Sequence, residues 1–220
     1  MIMSIALIFD MDGLLIDSEP LYQRTEKKIL ADYGITDFSI LDEAFGMKNE
    51  EAFEMYVERL ALPADPLELL DRCREQMLVL FKEELQLMPQ AEACLETFHR
   101  KGYPMALASG SMRALLDTAV GRFGLEKYFS VTVSGDDVEH GKPDPEIFLL
   151  AAKKLGVKPS DCLVFEDAIH GVTAAKAAGM YCVAVPNPSV PRERFREADW
   201  IFDHLPAHPP DSLVPQEGEG

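Results

Sequence analysis

Asp10 and Asp12 stand two residues apart in Asp10-Met11-Asp12-Gly13, directly after the unbroken apolar run Ile5-Ala6-Leu7-Ile8-Phe9. Two carboxylates aimed at one dry spot repel each other unless a divalent cation and a division of labour separate them. Three further segments carry polar groups in comparable settings: Ser109-Gly110-Ser111 after an apolar run, Gly141-Lys142-Pro143 before a helical stretch, and Glu166-Asp167 after Cys162-Leu163-Val164-Phe165. A hydroxyl with free backbone N–H groups at a helix start makes a phosphate cradle. A fixed ammonium neutralises both a phosphoryl group and a neighbouring carboxylate. Adjacent carboxylates supply the hard oxygen ligands that Mg2+ selects. Together these groups describe phosphoryl transfer.

Each segment also has a plainer reading. Asp-x-Asp-Gly alone is a turn with a helix cap. Ser111 reads as the N-cap of a helix whose Met112, Leu115, Leu116, Ala119 and Phe123 share one face. A lone loop lysine is usually solvated, but Lys142 precedes Asp144 as a cap and Pro145 in the first turn of a helix burying Phe148, Ala151, Ala152 and Leu155. That setting predicts a fixed side chain.

The elements that must hold these groups follow from the apolar patterning. Strand-like runs near 5–9, 104–109, 131–134, 162–166, 181–185 and 199–202 alternate with helical stretches near 90–101, 112–123, 145–155 and 171–178. Apolar runs without alternation belong to strands buried on both faces of a parallel sheet. The alternation therefore predicts an α/β fold with a doubly wound parallel sheet and ligands at the carboxyl ends of its strands. Gly171 to Gly179 is small on nearly every face, so its helix can pack close to the sheet and stop at Gly179. Between the first and second strands lie only helical patterns, near 20–33, 49–61 and 66–86, broken at Gly34, Gly46 and Pro63. This predicts a core of residues 1–16 and 89–220, a helical cap over 17–88, and a loose, proline-rich tail over 204–220.

A net charge of −17 makes the chain strongly acidic, and residues 16–88 hold 17 acids against 8 bases. Nucleic acids and anionic membranes bind basic patches, so neither is expected as a partner. A small phosphorylated metabolite remains compatible, because a metal ion and Lys142 set the local field. The four cysteines have no metal-like spacing, and Cys94, Cys162 and Cys182 fall on buried stripes or strands. They read as core thiols of a reducing cytoplasm. No basic segment precedes the first apolar run, and no apolar stretch approaches the roughly 20 residues needed to span a membrane. A monomer or small homo-oligomer is expected.

In their order along the chain, Asp-x-Asp-Gly, the strand-end Ser109, Lys142-Pro143-Asp144-Pro145 and Glu166-Asp167 resemble the motifs of the haloacid dehalogenase superfamily. The resemblance runs from residue 1 to about 203 and is narrowest to the branch of phosphoglycolate-type phosphatases, small sugar-phosphate phosphatases and beta-phosphoglucomutase. It implies that Asp10 is the nucleophile and Asp12 the general acid and base. It implies Mg2+ held by Asp10, the backbone carbonyl of Asp12, Asp167 and, in some members, Glu166. Ser109 and Lys142 would bind phosphoryl oxygens, helped by backbone N–H groups near Met11 and Gly110. Gly46-Met47-Lys48 takes the place of a cap loop that reaches over substrate, so Lys48 is a candidate contact, and Arg113 a further one.

The implied activity is Mg2+-dependent hydrolysis of a small phosphate monoester, a sugar phosphate or phosphoglycolate-like compound, through an aspartyl phosphate. The alternative is a beta-phosphoglucomutase-like isomerase. Mutase-like members carry a histidine ten residues beyond the second aspartate, where this chain has Tyr22. A non-catalytic binding module is a third reading, against which every catalytic position is filled. Haloacid dehalogenation itself does not require the Glu166-Asp167 pair.

Overall fold

The computed structural model describes residues 5–44, 47 and 49–210. In chain order, β1 (Ala6–Phe9) leads to four helices, α1 (Glu19–Asp32), α2 (Ile40–Ala44), α3 (Asn49–Arg59) and α4 (Pro66–Glu83). Then come α5 (Ala91–Arg100), β2 (Met105–Ala108), α6 (Arg113–Phe123), β3 (Val131–Val133), α7 (Glu146–Leu155), β4 (Cys162–Glu166), α8 (Ile169–Ala177), β5 (Tyr181–Ala184) and β6 (Trp200–Ile201). The chain divides into two compact units, Met1–Asp17 with Leu87–Gly220, and Ser18–Gln86.

The first unit is built on one six-stranded, all-parallel sheet in the order β3-β2-β1-β4-β5-β6. Successive residues of a strand point to opposite faces, and both faces of β1 are fully buried. Ala6 and Ile8 pack with Phe148, Ala151, Val172 and Ala175 from α7 and α8. On the other face Phe9 stacks on Phe165 at 4.6 Å, with Phe98 of α5 and Phe129 about the same pair. The register sets Phe9 beside Leu107 of β2 and Phe165 of β4. Asp10 and Glu166 follow the paired phenylalanines and Ser109 follows Ala108, the last residue of β2, so the three emerge at the same end of neighbouring strands.

The second unit is helical. Leu21, Thr25, Ile29 and Leu30 of α1, Phe53 and Tyr56 of α3, and Leu69, Leu70, Cys73, Met77 and Phe81 of α4 form its interior. Asp65 caps α4 by accepting the Leu67 N–H at 2.8 Å, with Pro66 in the first turn. Among the described residues no helix is long and apolar enough to cross a membrane.

Two features lie beyond the sequence reading. The five-residue α2 has no counterpart in the sequence reading, being shorter than the window in which helical periodicity shows. The tail was expected to be loose from residue 204, yet Leu205 is buried and the Pro206 carbonyl accepts the Cys94 thiol at 3.2 Å. Residues 211–220 lie outside the described residues.

Candidate active site

Asp10 continues the β1 ladder, its N–H donating to the Phe165 carbonyl at 3.0 Å, so its side chain is fixed at the sheet edge. Its carboxylate accepts from the Lys142 ammonium. Lys142 also donates to Glu166 Oε1 at 2.5 Å and lies 4.9 Å from the centroid of the Phe148 ring. Burial alone would lower the Lys142 pKa, but the Asp10 and Glu166 charges outweigh it and keep the ammonium charged. The loop carrying Lys142 is stitched to α7. The Glu146 carboxylate accepts the His140 N–H at 2.8 Å and the Glu139 N–H at 3.1 Å, and Asp144 accepts the Glu146 N–H at 2.9 Å.

Glu166 is almost wholly buried, and its second oxygen accepts the Ala168 N–H at 2.9 Å. Gly171 makes room for it, since a Cβ there would lie 1.8 Å from Glu166 Oε1. The small run in α8 thus accommodates a carboxylate as well as close helix packing. Asp167 presses on the turn after Asp12. Gly13 has φ +76°, and a Cβ on it would lie 2.2 Å from Asp167 Oδ2. Only glycine takes that backbone conformation and that approach without strain.

Asp12 is held differently. Its Oδ2 accepts the hydroxyls of Ser109 at 3.0 Å and Ser111 at 2.8 Å, while its Oδ1 is buried with no partner. Ser111 had been expected to cap α6. The residue at the cap position is Met112, and the Ser111 hydroxyl is committed to Asp12 instead. A capping serine accepts a helix N–H with its oxygen, whereas the Ser111 side chain is turned to Asp12 and donates its O–H there.

Oxygens of Asp10, Glu166 and Asp167 lie within 4.8 Å of one another. Burial, and then the mutual repulsion of these acids, raises the pKa of Asp167 well above its usual value and that of Asp10 as well, with Lys142 opposing. One ammonium does not balance this set together with the buried Asp12 oxygen. A second, hard cation fits the donors present.

The geometry brings together Asp10, Asp12, Ser109, Lys142, Glu166 and Asp167. Gly110 is exposed on the turn between the two serines. Arg113 does not join them: its guanidinium is bound by Asp137, Thr132 and Asp117. Lys48 and Gly46 lie outside the described residues. Sequence reasoning missed Glu146, which anchors the Lys142 loop, and Ser134 to Asp137, which follow β3 as the other motifs follow their strands. The strand-end rule, applied to β3, would have found the latter.

A parallel sheet with carboxylates, serines and a lysine at adjacent strand ends is the arrangement of a phosphoryl-transfer hydrolase. The haloacid dehalogenase-like hydrolase family model matches residues 6–179, and the chain belongs to that family. Within it the chain stands among phosphatases of phosphoric monoesters. The protein named Probable pseudouridine-5'-phosphatase of Drosophila melanogaster is 40% identical over 94% of this chain and 92% of its own length. Fructose-1-phosphate phosphatase YqaB of Escherichia coli is 34% identical over 81% of this chain and 95% of its own. Among solved structures, a proposed beta-phosphoglucomutase from Thermotoga maritima is 34% identical, with a TM-score of 0.75 over 90% of this chain and 93% of its own.

Proposed function

We propose that the protein hydrolyses a small phosphorylated sugar or related polyol in a Mg2+-dependent reaction through an aspartyl phosphate on Asp10. The observation that carries this reading is the contrast at one strand end between Asp10, paired with Lys142, and Asp12, held on one oxygen by two serines with the other oxygen free. An Asp10 oxygen attacks phosphorus and the bond from phosphorus to the ester oxygen breaks. Asp12 gives its proton to the departing alkoxide. It then takes a proton from the water that attacks the same phosphorus, releasing phosphate and restoring the Asp10 carboxylate. Lys142 remains charged throughout and offsets charge on Asp10 and the phosphoryl oxygens. Ser109, expected on the phosphoryl oxygens, donates to Asp12 and so keeps it oriented, and backbone N–H groups about Met11 and Gly110 would help hold the phosphoryl group. Asp10, Glu166 and Asp167, with the Asp12 carbonyl, would hold Mg2+, which supplies charge neutralisation when bound.

The Ser18–Gln86 unit acts in this reading as the cap that selects substrate, with Lys48 as its basic contact. The substrate class is supported by the relatives whose names specify pseudouridine 5'-phosphate and fructose 1-phosphate. The acidic surface fits a soluble cytoplasmic enzyme without nucleic-acid or membrane partners, as a monomer or small homo-oligomer.

The likeness to the Thermotoga protein favours a second reading, a beta-phosphoglucomutase-like isomerase, and Tyr22 opposes it. A panel of sugar phosphates, phosphoglycolate and nucleoside monophosphates with Mg2+ tests both. Release of inorganic phosphate from a sugar phosphate is expected. Conversion of beta-glucose 1-phosphate to glucose 6-phosphate without phosphate release would replace the hydrolase by the mutase.

A further inference from the structure

Arg113, a candidate substrate contact from the sequence, turns its side chain to a second loop. The guanidinium donates to Thr132 Oγ1 at 3.0 Å and to the Asp137 carboxylate, and its backbone N–H donates to Asp136 Oδ2 at 2.8 Å. Asp137 Oδ2 also accepts the Ser134 N–H at 2.8 Å and the buried Ser134 hydroxyl at 3.1 Å. The same two loops meet a third time, where the Gly135 N–H donates to the Ser111 carbonyl at 2.9 Å. Their backbones touch so closely that a Cβ on Gly135 would lie 2.3 Å from the Gly110 carbonyl oxygen. The loop gripped in this way is Ser109 to Ser111, whose two hydroxyls hold Asp12.

We infer that Arg113 and Asp137 are positioning residues: they clamp the Ser134 to Asp137 loop onto the Ser109 to Ser111 loop and so fix the hydroxyls that orient Asp12. Three features favour this over substrate binding. Arg113 has carboxylate partners on two sides, Asp117 at 3.4 Å and Asp137, which already balance its charge. Burial by itself would raise the Asp137 pKa, but the Ser134 N–H and Arg113 hold it below the usual range, so Asp137 stays a carboxylate beside the guanidinium. Gly135 tolerates no side chain at the contact, so the two loops have little freedom to slide. The inference rests on the reading of Asp12 as the acid and base, because misplacing that group by a fraction of an ångström is what would slow the reaction.

The test compares full-length Arg113→Ala, Arg113→Lys, Asp137→Asn and Arg113→Ala/Asp137→Asn with the parent protein on 4-nitrophenyl phosphate in Mg2+. This probe carries no sugar for an arginine to contact, and its activated leaving group leaves the water-attack step, where Asp12 is the base, to limit turnover. Because water attack limits turnover, the clamp predicts that kcat falls about 10- to 100-fold in Arg113→Ala and KM falls with it, leaving kcat/KM within about 2-fold. Asp137→Asn, nearly isosteric, should show the same split to a lesser degree. The double variant should fall no further than Arg113→Ala, and Arg113→Lys should regain part of the loss. Hydrogen exchange should quicken at the Arg113 and Gly135 amides while the unfolding midpoint moves little. A parent-like kcat in Arg113→Ala, losses that multiply in the double variant, or an effect confined to KM would each overturn the inference. Asp12→Asn, run alongside, separates the two claims: full activity there would remove the acid–base role of Asp12, while the exchange data would still decide whether the clamp exists.

Discussion

Both units take carboxylates partly or wholly out of water, and they do so in opposite ways. At the strand ends of the α/β unit, Asp10 and Glu166 share one ammonium, Asp12 takes two hydroxyls, and Glu166 also has a backbone N–H. In the helical unit Glu26 accepts the neutral Tyr56 hydroxyl at 3.3 Å, with Glu19 and Cys73 nearby. Burial therefore pushes Glu26 up to about 7. Several charged or strongly polar partners at one sheet edge indicate groups arranged for chemistry. A half-buried acid beside a phenol in a helical unit is a stability burden at neutral pH.

Asp10→Asn breaks the first half of this comparison most severely. Turnover should fall by at least about 10⁴-fold, since an amide cannot attack phosphorus, while circular dichroism and the unfolding midpoint show an intact fold. Residual activity of a few per cent, with contamination excluded, would contradict a nucleophilic Asp10. Chelation comes next. EDTA should silence the enzyme and Mg2+ should restore it better than Ca2+, whose longer bonds and higher coordination number suit the Asp10, Glu166 and Asp167 set poorly. Asp167→Ala should raise the Mg2+ concentration required, and full activity in excess chelator would contradict the metal assignment.

Glu26→Gln probes the second half. The folded pKa of Glu26, about 7, lies above its ordinary value of 4.5. The native state thus holds the proton more tightly than the unfolded chain, and the stability this group contributes below pH 4.5 is lost as pH rises to about 7. Glutamine cannot ionise, so the variant should match the parent near pH 4.5 and exceed it by about 2–3 kcal/mol at pH 8 in chemical denaturation. A difference independent of pH would show that Glu26 is not an acid with a raised pKa. The smallest expected effect is that of Lys48→Ala, about 10-fold in kcat/KM on the preferred sugar phosphate and little on 4-nitrophenyl phosphate. Equal losses on both would make Lys48 a structural residue, and no loss on either would leave it a surface charge.

The strand-end chemistry was readable because a parallel sheet buried on both faces gives continuous apolar runs, and whatever follows such a run stands at a sheet edge. Ile5 to Phe9, Met105 to Ala108 and Cys162 to Phe165 each announce their polar successor in this way. The bond from Ser111 to Asp12 was not readable, since it joins residues 99 positions apart and competes with a local role that serines often fill. The pairing of Arg113 with Asp137 and that of Glu26 with Tyr56 were hidden for the same reason, with the further difficulty that charged residues on helices are usually solvated. The docking of Leu205 and Pro206 eluded a compositional argument, because prolines describe a backbone without regular structure and say nothing of what it packs against.

The most direct test of the account is to trap the covalent intermediate. Asp12→Asn should form the aspartyl phosphate and hydrolyse it about 10²–10⁴-fold more slowly than the parent. Acid quench of that variant during turnover of 4-nitrophenyl phosphate with Mg2+, followed by peptide mass spectrometry, should find one phosphoryl group on the peptide containing Asp10. The label should vanish in Asp10→Asn/Asp12→Asn. Phosphate on Ser109 or another residue, or steady turnover of the quenched variant with no labelled peptide, would contradict a nucleophilic Asp10.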